Sequence, residues 1–89
     1  MQLVAKPVEV ILYVNRHGEV RPLRYRYTDV DGDEQVVVVE DVIKTEVKTL
    51  PGAKAVIYTG QSEKNGNKYR YTLKLQYDHD LMEWQLYEI

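Results

Sequence analysis

Cysteine is absent from this chain of 89 residues, which removes disulfides and thiolate metal sites together and points to the cytoplasm. No apolar run approaches the roughly 20 residues that a membrane span requires. The N-terminus lacks the charged-then-apolar pattern of a secretory leader, so no membrane partner is expected. Charge of one sign is also lacking. A net charge of −2 and a pI near 5.6 give no global pull towards nucleic acid. Phenylalanine is missing, and tryptophan and serine occur once each, at Trp84 and Ser62. What is present in quantity is tyrosine, with eight residues, and valine. Both favour strands, and tyrosine favours half-buried positions whose hydroxyls reach water or a partner. The length fits a single all-β domain over residues 1–89 with a modest core, worth about 5–10 kcal/mol of net stability.

Residues 1–7 read as a lead-in, with Pro7 just ahead of the first strand. Val8 to Val14 alternates, placing Val8, Val10, Leu12 and Val14 on one face and Glu9, Ile11 and Tyr13 on the other. His17-Gly18 closes a hairpin into Val20–Tyr27, whose apolar row is Leu23, Tyr25 and Tyr27. Pro22, Arg24 and Arg26 form the opposite row. A three-residue loop over 16–18 would set Val10 against Arg24. An even loop sets Leu12 against Leu23, Val10 against Tyr25 and Glu9 against Arg26, and is expected for that reason. Asp31-Gly32 predicts a type I′ turn. It would pair Tyr27 with Val36 and Tyr25 with Val38 on the core face, leaving Arg26 with Val37 and Arg24 with Val39 on the reverse. Pro22 would then face Asp41, with a bulge near Glu40-Asp41 and extended chain over Val42–Val47.

Leu50-Pro51-Gly52 reads as the internal boundary. Beyond it, Asn65-Gly66 is the best hairpin signal in the chain. It pairs Val56 with Leu75, Tyr58 with Leu73, and Gly60 with Tyr71, whose ring would cover the glycine gap. The other face pairs Glu63 with Lys68, Gln61 with Arg70 and Thr59 with Thr72. Residues 82–89 alternate and predict a strand rather than a helix capped by Asp80, with Leu75 against Trp84 and Leu73 against Leu86. Two three-stranded meanders result, 8–47 and 53–89. Packed face to face, they make a six-stranded antiparallel barrel or two-layer roll.

Sites for chemistry are few. Asp29, Asp31, Asp33 and Glu40 have calcium-loop spacing, but Glu34 stands where that loop needs glycine, and the flanks read as strands. Asp78-His79-Asp80 offers three possible metal ligands in one turn, with His17 the only other histidine. Zinc needs three or four convergent ligands, so no metal or cofactor is expected. Ser62 has no histidine near it in sequence and no glycine-rich elbow. The remaining glycines are isolated, so no phosphate loop forms. An enzyme is therefore not expected.

The reverse face of the first meander stands apart. Ile11, Tyr13, Pro22, Val37 and Val39 surround Arg24 and Arg26, an apolar set for a face turned to water. That composition fits contact with another protein, a second copy of this chain included. The alternative is single-stranded nucleic acid, with Arg16 and Arg21 nearby and Tyr13 as a stacking platform. A third reading needs no partner: Glu9 pairs with Arg26 and the arginine stems cover the valines.

Val8-Glu-Val-Ile-Leu-Tyr-Val14 followed by Gly18-Glu-Val-Arg-Pro-Leu-Arg-Tyr-Arg-Tyr27 resembles the opening of small uncharacterised bacterial all-β proteins with a Pro-Leu-Arg-aromatic strand. Tyr69-Arg-Tyr-Thr-Leu73 and Trp84-Gln-Leu86 are similar in style. The likeness spans about half the chain through short motifs, and segments 29–34 and 40–53 contribute nothing to it. It implies a bacterial, cytoplasmic domain and carries no activity with it.

Overall fold

The structure, a computed structural model, describes residues 1–78 and 81–89. It is all-β and antiparallel. Among the described residues eight strands run in chain order: β1 (Leu3–Pro7), β2 (Glu9–Val14), β3 (Val20–Thr28), β4 (Glu34–Val38), β5 (Asp41–Leu50), β6 (Ala53–Lys64), β7 (Asn67–Asp78) and β8 (Leu81–Glu88). They form a five-stranded sheet in the order β1-β8-β7-β6-β5 and a three-stranded sheet, β2-β3-β4. No helix among the described residues is long and apolar enough to cross a membrane.

The pairing of β6, β7 and β8 follows from local chemistry. Asn65 (φ 54°) and Gly66 (φ 81°) take the two positive φ values of a type I′ turn. Val56 then meets Leu75, Tyr58 meets Leu73 and Gly60 meets Tyr71, while Leu73 and Leu75 meet Leu86 and Trp84 on β8. Residues 81–88 are strand, as their alternation predicts. The outer pairs Thr59–Thr72, Gln61–Arg70 and Glu63–Lys68 hold as well.

Elsewhere the architecture differs from two three-stranded meanders. The strands number eight, and among the described residues the two sheets keep open edges and do not close into a barrel. The lead-in is itself a strand: β1 adds to the far side of β8, with a register shift between Leu3 and Lys6 and Ala5 at φ 43°. The chain changes sheet twice. At Val8, whose N–H donates to the Trp84 carbonyl (3.1 Å), it passes from the large sheet into the small one. It returns at Val39 and Glu40, whose N–H groups donate to Leu23 in the small sheet (2.8 Å) and Gln61 in the large one (3.1 Å). The layer boundary therefore lies at Glu40, not at Pro51-Gly52. Pro51 and Gly52 (φ 77°) make the tight turn of the β5–β6 hairpin, closed by Leu50 and Ala53.

Both hairpins of the small sheet use odd loops, and this corrects two register expectations. Asn15 bonds across to Glu19, so Arg16, His17 and Gly18 (φ 80°) form a three-residue loop. Next to it Leu12 faces Pro22, but beyond a bulge at Leu23 the pairs are Ile11–Arg24, Val10–Tyr25 and Glu9–Arg26. The bulge absorbs the extra residue and restores the apolar match that motivates an even loop. In the second hairpin Asp29 bonds across to Asp33, and Gly32 (φ 85°) occupies the left-handed position of a three-residue loop. The Asp29 carboxylate caps this loop, accepting from the N–H groups of Asp31 (2.9 Å) and Asp33 (3.0 Å). No bulge corrects the register here. Tyr25 pairs with Val37, Arg24 with Val38 and Arg26 with Val36. A slip of one residue reverses every side chain.

The two layers share one core. Tyr25, Val39, Val56, Tyr58, Tyr71, Leu73, Leu75 and Leu86 are buried in it, with Val10, Val37 and Trp84 packed against its edge. Each fully buried large side chain contributes about 1.5–3 kcal/mol relative to exposure. A polar staple joins the layers within this core. Ser62 Oγ on β6 donates to the Val38 carbonyl on β4 (2.6 Å) and lies 2.5 Å from the Tyr71 hydroxyl, which is then its donor. The one serine of the chain is thus spent on holding the sheets together.

Candidate interaction face

The outer side of the small sheet carries two cross-strand rows. In one, Ile11, Arg24 and Val38 stand side by side; in the next, Glu9, Arg26 and Val36 do. Ile11 is 49% exposed, and Val36 and Val38 are 59% exposed each. These values make the face an apolar surface, because β-branched side chains on a covered face would be nearly dry. A shallow depression of about 330 Å³ lies along it, lined by Glu9, Val10, Ile11, Arg24, Tyr25, Arg26 and Val36.

The two arginines differ in what surrounds them. Arg26 hydrogen-bonds Glu9 and lies 3.6 Å from Glu34, and these carboxylates raise its pKa above the ordinary arginine value, the Glu9 hydrogen bond most. Its charge is already matched. Arg24 makes no ion pair among the described residues, and its cross-strand neighbours are Ile11 and Val38. An unmatched guanidinium flanked by aliphatic side chains offers five donors and a planar stacking surface to whatever covers it.

Of the residues predicted for this face, Ile11, Arg24 and Arg26 come together. Tyr13 is exposed but borders a separate depression of about 280 Å³ with Arg21, Val42, Thr45 and Tyr58. Pro22 is fully buried opposite Leu12, because the bulge at Leu23 turns it into the core. Leu23, expected in the core, is 38% exposed for the same reason. Val39 is buried in the core and Val37 packs against it, reversed by the three-residue loop after Asp29. Val36 and Val38 take their places. The signal for this exchange is in the sequence: Asp29 is an Asx cap two residues before Asp31, and Gly32 serves a three-residue loop as readily as a two-residue one.

The other constellations are spent or lie elsewhere. The Asp29 carboxylate, besides capping the loop, accepts from Gln35 (2.9 Å), and these bonds hold its pKa below the usual aspartate value, the Gln35 bond foremost. No group of three or more His, Asp or Glu side chains among the described residues is arranged to hold a metal ion. The cluster Asp78-His79-Asp80 depends on residues 79 and 80, which lie outside the described residues.

Fold and face together define an all-β two-sheet domain with one apolar, arginine-centred outer surface. No protein-family model matches the chain, and no curated protein or solved structure is detectably similar to it.

Proposed function

We propose that this is a non-enzymatic protein-interaction domain that uses the outer face of β2–β3–β4. The observation that carries the reading is Arg24, unmatched in charge and set between exposed Ile11 and Val38. Covering it would bury aliphatic surface around a donor group that a partner carboxylate satisfies, the kind of anchor that dominates protein interfaces. The partner is a protein with a flat apolar patch and a carboxylate at its centre; a second copy of this chain is the simplest case to test.

A photo-crosslinking side chain at Val36 should yield a discrete adduct with the partner, and Arg24→Glu combined with Val38→Asp should abolish it while the fold survives. Absence of any adduct, with the protein monomeric by light scattering, overturns the reading. Binding to a single-stranded oligonucleotide that weakens steeply with salt replaces it with a nucleic-acid function. Two features favour the protein reading over that one: Arg26 is tied to Glu9 and Glu34, and Tyr13 lies in a different depression from Arg24.

A further inference from the structure

Four strands end a sheet, and they are not equally open. β1 and β4 span five residues each and β2 six, whereas β5 spans ten. β1 is interrupted by the shift at Leu3–Lys6 and finishes at Pro7, which has no N–H to offer. On β4 the Val38 carbonyl is taken by Ser62. β5 pairs with β6 on one side only, in unbroken register from Lys44 to Leu50. Long, regular edges are templates for another strand unless their side chains forbid it.

The side chains of β5 select a partner. Lys44 and Glu46 share the outer face of the large sheet, opposite Thr59 and Ile57. They pair with each other along the strand at 2.5 Å, so a second copy would extend this pair into a four-charge cluster. Thr45 and Val47 point to the other side, opposite Tyr58 and Val56. Ile43 and Val47 are 46% and 59% exposed. Consider a second copy related by a two-fold axis normal to the sheet and passing by Thr45. Each Lys44 then stands opposite the other copy's Glu46 and Thr45 meets Thr45, while Ile43, the extra residue of the bulge that precedes Lys44, comes near the other copy's Val47. The pairs next to the axis are matched in charge or polarity, and the bulge between Val42 and Lys44 ends the regular strand before Val42 would meet Lys48. An axis at Lys44 or at Glu46 sets like charges against each other. An axis at Val47 pairs Glu46 with Lys48 but runs Ile43 into Pro51, where the strand has already turned. Charges on an edge ordinarily discourage pairing, but alternating signs around a central Thr45 are self-complementary.

We infer that the protein forms a two-fold symmetric dimer by antiparallel pairing of β5 with β5 of a second copy, centred on Thr45. The five-stranded sheets then continue across the axis into one ten-stranded sheet. This surface is separate from the face of β2–β3–β4, and either can exist without the other.

Sedimentation equilibrium tests it with charge exchange. Wild type should dimerise. Lys44→Glu alone and Glu46→Lys alone each turn both cross-strand ion pairs repulsive, and each should weaken the dimer about tenfold or more. Mixing the two single variants should restore association as a heterodimer, and the double exchange in one chain should dimerise like wild type. Both positions are on the surface, and circular dichroism would verify that each variant stays folded. A wild type that is monomeric at about 1 mM overturns the inference. So does a dimer indifferent to the single exchanges, or one that mixing fails to restore. Arg24→Glu with Val38→Asp should leave this dimer intact; if it alone abolishes association, the interface is the β2–β3–β4 face and the edge pairing is wrong.

Discussion

Gly60→Ala is the smallest change that tests the core. Gly60 lies on β6 opposite Tyr71, and a Cβ there would stand 2.7 Å from Tyr71 Cε2 and 3.1 Å from Cζ. The ring has nowhere to go. It is fully buried, its hydroxyl is held at Ser62, and it packs edge-on against Tyr25 at 5.2 Å and tilted against Tyr69 at 5.7 Å between centroids. Backbone conformation does not oppose the change, since Gly60 has no positive φ. On chain entropy alone alanine would stabilise by about 0.4–1 kcal/mol. Overpacking a close-fitted core costs about 1–3 kcal/mol, and displacing the Ser62 bond adds about 1 kcal/mol. The net loss should be about 1–3 kcal/mol, a fall of roughly 5–20 °C in Tm for a chain this size. Urea unfolding followed by Trp84 fluorescence would measure it, because the single tryptophan stacks on Tyr58 in the same core. In a Tyr71→Leu background the alanine should cost nothing or stabilise, a coupling of at least about 1 kcal/mol. A Gly60→Ala protein as stable as wild type, or the same penalty with and without the ring, would refute the reasoning.

Three further outcomes follow from burial and register. Val39→Asp should unfold the protein or cost more than about 3 kcal/mol, while Val38→Asp should change stability by less than about 1 kcal/mol; the reverse ranking in thermal melts would restore the two-residue turn at Asp31-Gly32. The Tyr25 hydroxyl is buried with no hydrogen-bond partner among the described residues, so Tyr25→Phe should be neutral or stabilise by about 1 kcal/mol, and a clear loss on calorimetry would contradict that. Burial pushes the Tyr71 hydroxyl up to about 12 and raises Tyr25, Tyr58 and Tyr69 as well. Unfolded tyrosine ionises near 10, so above that pH the unfolded chain holds fewer protons than the folded one. Their contribution is complete below pH about 10 and is lost as pH rises towards 12 and beyond. Circular dichroism and tyrosinate absorbance should change together in that window, with a later onset for Tyr71→Phe; tyrosinate forming near pH 10 with the fold intact would count against it.

Much of the secondary structure was legible because strand alternation is a local property. The β6–β7 register could be read completely, since Asn65-Gly66 admits one loop length and every cross-strand pair then matches. The β7–β8 pairing follows the expected pairs as far as Leu73–Leu86, beyond which the register shifts and Thr72 pairs with Glu88. In the small sheet the alternation was equally clear, but the loop parity was not. Glycine at the end of a turn suits both two- and three-residue loops, and the choice reverses Val36–Val39 as a block. The Leu23 bulge was hidden for a related reason: it moves Pro22 inward and Leu23 outward without altering the attractive pairs Val10–Tyr25 and Glu9–Arg26. Ile11, Arg24 and Arg26 therefore lie on the outer face as expected, while Val37 and Val39 turn inward and Val36 and Val38 stand in their places.

By itself the sequence determined that this chain is all-β, where most of its strands lie (though not β1, nor the break between β4 and β5), and which hairpins join β2 to β3, β3 to β4 and β6 to β7. Periodicity and turn chemistry act within a few residues and suffice for that. Only the tertiary structure decided which sheet each strand joins. Glu40 could bend and stay in its meander or cross to the other layer, and nothing in Glu40-Asp41 distinguishes the two. The outcome depends on Leu23 and Gln61, which accept from Val39 and Glu40 across the two layers. The placement of β1 beside β8 is the extreme case, because Leu3 pairs with Glu88 at the far end of the chain and no turn connects them. That pairing leaves β5 as the long open edge.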